Sequence, residues 1–125
     1  MTMDEKISVT VQSEYRADAS DPAAGRYAFA YHITIANNGT EPAQLISRHW
    51  IITDGNQRRE EVRGLGVVGQ QPRIVPGATH RYSSGAVLAT AVGSMTGSYQ
   101  FVRDDGRVFQ VPIPAFRLAV PSALN

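Results

Sequence analysis

Apolar and polar residues alternate with a period of two along almost the whole chain, and helical spacing is never sustained for three turns. Such alternation places successive side chains on opposite faces of a pleated strand. Ile7, Val9 and Val11 alternate with Ser8, Thr10 and Gln12, and Tyr27, Phe29, Tyr31, Ile33 and Ile35 form the strongest strand pattern. Residues 37–42 (NNGTEP) supply turn chemistry, after which Gln44–Thr53 predicts a third strand with Ile46, Trp50 and Ile52 on one face and Ser47 and His49 on the other. Residues 60–68 predict a fourth strand weakened by glycine, and 74–82 a fifth punctuated by proline. Residues 83–93 have no clear period and are expected to cross between sheets.

Met95, Gly97, Tyr99 and Phe101 share one face of the next strand, and the Asp-Gly of residues 103–107 (RDDGR) predicts a hairpin turn. Phe109, Val111 and Ile113 return inward. Beyond Pro112 and Pro114 the apolar parity flips to Phe116, Leu118 and Val120, which predicts a bulge on an edge strand, where proline is tolerated. Seven to eight short strands separated by turns every eight to twelve residues predict an all-β fold. The expected architecture is an antiparallel β-sandwich, immunoglobulin-like or fibronectin type III-like, with a small barrel as the alternative. Length sets one domain over residues 1–125, large enough to bury a core without staples.

Composition narrows the chemistry. Without cysteine there are no disulfides, thiolate metal sites or cysteine nucleophiles. The polar start of the chain lacks a signal-peptide layout and no apolar run reaches the length of a membrane span, so a cytoplasmic protein without membrane association is expected. Net charge is +1, but it divides unevenly. Residues 1–61 carry six basic and nine acidic side chains, whereas 62–103 carry Arg63, Arg73, Arg81 and Arg103 and no acid. Concentrated positive charge attracts anions. Four arginines over that span are too sparse for a nucleic-acid stripe, and nucleic acid is not an expected partner.

The acid-free stretch contains GxGxxG at Gly64, Gly66 and Gly69. A dinucleotide fold needs those glycines between a strand and a helix, whose N-terminus supplies free N–H groups, and an acid about twenty residues on for the ribose. Here Gln70-Gln71-Pro72-Arg73 follows and no acid occurs before Asp104, so that fold is excluded. A glycine-rich backbone can still form an anion-binding concavity, and Arg63 and Arg73 flank it. The favoured reading is architectural: Gly64 and Gly66 mark a bulge or close strand approach, and Gly69 serves a turn.

If the strands around residues 37–42 formed a direct hairpin, His32 and His49 would lie near each other and could bind a divalent metal with Asp54 or water. In a sandwich the two strands can instead belong to different sheets, which removes the site. Ser83 and Ser84 lack a nucleophile-elbow setting, Asp104 and Asp105 belong to a turn, and Asn38-Gly39-Thr40 is explained by turn chemistry. No catalytic constellation emerges, and no cofactor is expected.

Five blocks carry a family resemblance: GRYAFAYHITIANNG, SRHWIITDGN, EVRGLGVVGQQPRIVPG, YSSGAVLATAVGSMTGSYQF and VPIPAFRL, together spanning about Tyr27 to Leu118. With them in this order the chain resembles the bacterial ApaG family, departing from it at Gln57, where a glycine often follows Asp-Gly-Asn. The resemblance implies a fibronectin type III-like sandwich and carries no catalytic residues over. It also implies a link to cobalt tolerance and magnesium efflux, and nucleotide-binding proposals that map onto Gly64, Gly66 and Gly69. Similar domains are appended to eukaryotic F-box proteins and to a polymerase-interacting protein, which implies an unidentified protein partner. The expectation is therefore a noncatalytic interaction module, with nucleotide or polyphosphate binding at the glycine loop as the alternative.

Overall fold

Period-two patterning becomes pleated strand through most of the chain. The computed structural model describes residues 6–124. Its strands are β1 (Ile7–Tyr15), β2 (Tyr27–Asn37), β3 (Ala43–Asp54), β4 (Arg59–Leu65), β5 (Arg73–Ile74), β6 (Thr79–Leu88), β7 (Val92–Arg103) and β8 (Val108–Ala119). They form a three-stranded antiparallel sheet in the order β1-β2-β6 and a five-stranded one in the order β4-β3-β7-β8, with the short β5 beside β4 on the same edge of β3. The inner faces of both sheets meet in one apolar core, as expected of a β-sandwich. Trp50 lies at its centre, its ring edge-on to Tyr31, Tyr99 and Phe116. Burying a side chain of this class contributes about 1.5–3 kcal/mol relative to leaving it exposed.

The parity flip in β8 is a bulge: Met95 pairs with Phe116 but Gly97 with Ile113, so two residues of β8 oppose one of β7. Its prolines are accommodated because β8 is an edge strand. That edge runs beside β1, where the Ser13 hydroxyl donates to the Arg117 carbonyl at 2.9 Å and closes one flank of the sandwich.

Three expectations change, and one open alternative is decided. A register shift between Leu45 and Ser47 turns Leu45, rather than Ile46, into the fully buried position of β3. The fifth strand divides into β5 and β6, which belong to different sheets, because Pro76 has no N–H for a ladder and Gly77 takes φ +83°. Residues 83–88 continue β6 instead of crossing, and the crossing is confined to 89–91. Their alternation is blurred because Ser84 points to the inner side at an open flank and stays exposed. Residues 38–42 likewise join strands of different sheets and form no hairpin.

Both crossings near that end are tied by Asn37. Its backbone N–H donates to the Ala78 carbonyl at 3.0 Å and its carbonyl accepts from Gly77 at 2.8 Å. The side-chain Nδ2 donates to the carbonyls of Glu41 at 2.8 Å and Ile74 at 2.9 Å, while Oδ1 accepts the Gly39 N–H at 3.0 Å. The residue is fully buried. Replacing Asn37 with alanine removes three hydrogen bonds at a fully buried position, so urea denaturation should show a loss of about 3 kcal/mol. A loss under about 1 kcal/mol would mean that the crossings hold without it.

Candidate functional site

The glycine segment forms a tight hairpin between β4 and β5, laid along the edge of β3. Val67 and Gln70 exchange both backbone hydrogen bonds, N to O at 2.8 and 3.0 Å, across Val68 and Gly69. Both loop residues have positive φ, +47° and +75°, as a two-residue primed turn requires. Glycine adopts this freely, whereas β-branched Val68 is strained there. Val67 is buried in the core, while Leu65 and Val68 are 74% and 64% exposed.

Each motif glycine has an architectural task. A Cβ on Gly64 would meet the Arg48 guanidinium at 2.8–2.9 Å. One on Gly66, whose φ is +65°, would collide with the Gln70 carbonyl. Gly69 occupies the turn. The Gly66 N–H donates to the Ile46 carbonyl at 2.8 Å, and Val67 and Gln70 are bonded to each other, so these amides face inward partners rather than an anion. The bulge in β3 is the docking point: the Ile46 carbonyl also receives the Gln71 side-chain amide at 3.0 Å.

The flanking arginines do not converge on the loop. Arg63 stands opposite His49 in the β3–β4 ladder and lies 3.4 Å from Glu61. Arg73 pairs with Asp104 in the β7–β8 turn, which holds that carboxyl below its usual range through their hydrogen bond. His32 and His49 do not converge either, because β2 and β3 belong to different sheets and each ring faces outward. His32 bonds Ser83 at 2.6 Å, and His49 bonds Glu61 at 2.9 Å, lowering the Glu61 pKa. Among the described residues no group of three or more His, Cys, Asp or Glu is placed to hold a metal ion.

Two concavities adjoin the hairpin. On the outer face of the five-stranded sheet a cup of about 530 Å³ is lined by Ser47, His49, Arg63, Ser98, Gln100 and Gln110. On the opposite flank from β1 and β8, the free edges of β4 and β6 border a groove between the sheets. Its middle section, about 400 Å³, has a floor of Tyr31, Trp50 and Met95 with Val62 and Ala86 on the walls. The end nearest the hairpin, about 190 Å³, shares Tyr31, Trp50 and Arg48 and adds Tyr82, Val67 and Val68. Beneath it the Tyr82 and Tyr99 hydroxyls are hydrogen-bonded, and burial pushes Tyr82 up to about 12 and Tyr99 higher still, so both are neutral phenols.

Arg48 is the residue that sequence reasoning missed. It lies flat over Gly64 and donates from one Nη to the carbonyls of Leu65 at 3.0 Å and Gly66 at 2.9 Å. No carboxylate among the described residues lies within ion-pairing distance of it. A signal existed: Arg48 shares the register of Trp50 and Ile52, an arginine written at a core-facing position of β3.

A family model described as the ApaG domain matches residues 17–103. The chain is similar to proteins named ApaG from Ectopseudomonas mendocina (60% identical) and Pseudomonas aeruginosa (59%), each over 120 residues that cover 96% of this chain and 95% of the relative. It is also similar to the crystal structure of a putative ApaA protein from Bordetella pertussis, with 52% identity and a TM-score of 0.91 over 93% of this chain and 94% of that one.

The hairpin geometry makes a paired prediction. Val68→Asn should stabilise by about 1 kcal/mol because asparagine tolerates the left-handed conformation. Gly66→Ala should cost about 1–3 kcal/mol through strain and the collision with Gln70. Urea denaturation of both variants checks the signs; a destabilised Val68→Asn would show that the exposed valine contributes packing.

Proposed function

The chain belongs to the ApaG domain family, and on that premise we propose that it is a noncatalytic protein-interaction module whose contact surface includes the β4–β5 hairpin. The observation that carries this reading is the exposure of Leu65 and Val68 on a backbone braced by Arg48, Gln71 and the Ile46 carbonyl. A preorganised apolar projection loses little entropy on binding, which is how a small contact gains affinity. A strained valine at an exposed turn, where asparagine or glycine would be relaxed, supports a use outside the fold. In this reading any connection with cobalt tolerance or magnesium efflux runs through the partner, since His32 and His49 stand in separate sheets. No helix among the described residues is long and apolar enough to cross a membrane.

The outer cup favours a second reading, the binding of a nucleotide or polyphosphate. Arg63 supplies positive charge and His49 a hydrogen-bonding ring there, with Ser47, Ser98 and Gln100 around them. Glu61 lies against both side chains and opposes an anion. The exposed apolar pair therefore carries the first reading further.

Affinity capture from lysate with the native chain should recover a reproducible protein partner that the double change Leu65→Asp and Val68→Asp releases. Recovery of no partner, or of partners indifferent to the change, counts against the module. For the cup, titration with pyrophosphate and ATP should shift the amides of residues 47–49 and 63–65 if anions bind. Amides that stay still at millimolar ligand remove that reading.

A further inference from the structure

The flank opposite β1 and β8 carries an unprotected strand edge. β6 pairs with β2 alone, and no described backbone hydrogen bond joins its other edge. Natural edges are usually guarded by lysine, proline, a bulge or a covering loop. From Tyr82 to Leu88 β6 reads YSSGAVL, with no charge and no proline, and Ser83, Ser84 and Gly85 are exposed. Such an edge is a template for another strand.

The groove beside this edge has a chemical gradient. Near the hairpin it ends at Arg48, a guanidinium fixed by two carbonyls and lacking any carboxylate partner among the described residues. Its middle is apolar, walled by Val62 and Ala86 over Trp50. At its far end stand Glu60 and, beyond it, Asp54, Arg58 and Arg59. A ligand strand therefore meets a positive charge without a described acid at the Arg48 end, apolar surface in the middle and charges of both signs at the other end.

We infer that this groove binds an extended peptide segment of a partner protein, added as a strand to the free edge of β6 and bearing a carboxylate that pairs with Arg48. Alternate residues of an extended peptide share one face about 7 Å apart, so the recognised pattern is an Asp or Glu two positions from a large apolar residue. The apolar side chain sits over Trp50 and the carboxylate reaches Arg48. Main-chain hydrogen bonds to β6 supply affinity that is indifferent to sequence, and these two side chains supply the specificity. The proposal rests on the interaction-module reading and names the chemistry of the partner.

The test pans a library of displayed heptapeptides on the full chain and titrates the enriched sequences, as synthetic peptides, into isotopically labelled protein. Enriched peptides should carry the acid and the apolar residue two positions apart and shift the amides of residues 82–88. Changing the peptide's Glu to Gln should weaken binding about tenfold or more, the scale of a lost charge-assisted hydrogen bond. That change leaves the protein intact, so it holds even if Arg48→Gln, expected to give the same loss, loosens the hairpin. N-methylation at alternate peptide positions should abolish binding in one frame and spare it in the other, the signature of strand pairing. An unenriched library, binders indifferent to Glu→Gln, or shifts confined to the outer cup or to the tip at Val68 would overturn the groove assignment. A lysate partner released by the Leu65 and Val68 changes, yet not displaced by a groove peptide, would overturn it too while leaving the interaction module standing.

Discussion

The fully buried amide of Asn37 is the constraint on which the two-sheet arrangement turns. The chain passes from one sheet to the other at residues 38–42 and returns at 75–78, and both passages leave backbone groups that no ladder satisfies. A buried unpaired polar group costs about 1–3 kcal/mol. Asn37 meets both passages at once, with its side chain holding Glu41, Gly39 and Ile74 and its backbone holding Gly77 and Ala78. Arg103 joins the same point by donating to the Glu41 carbonyl at 2.8 Å while its guanidinium lies over the Phe109 ring. One arginine of the basic stretch thus serves the core instead of the surface.

From that junction the flanks differ. On one side β1 lies against β8; on the other, β4 and β6 end without a strand between them. The asymmetry places hairpin, groove and Arg48 together. The hairpin is held from beneath by the bulge at Ile46, and the bulge itself shifts the register so that Leu45 is buried. A single irregularity in β3 therefore both completes the core and frees a carbonyl to anchor the surface feature. Gln57 has φ +67°, a conformation glycine adopts without strain, which fits the glycine that the resemblance implies at this position.

Much of the fold was legible in residue order. Tyr27 to Ile35 alternates without interruption because both neighbours of β2 are strands of its own sheet and its inward residues before Asn37 are all large and apolar or aromatic. The bulge in β8 was legible because two prolines and a parity flip coincide. β6 was not, because its inner face opens to solvent at Ser84 and the polar residue breaks the period that reveals a strand. Arg48 was hidden for a related reason: its register is that of a core residue, and only the gap left by Gly64 makes room for its head group.

The sequence by itself determined the class of fold, the turns and the failure of the glycine motif as a dinucleotide site, since all three depend on local periodicity and backbone chemistry. Only the tertiary structure decided which strands share a sheet. Pairing between strands distant in sequence is set by the joint packing of two faces, which no local pattern encodes. That decision separated His32 from His49, turned Arg73 toward Asp104 and left the edge of β6 open beside an arginine that no acid among the described residues meets.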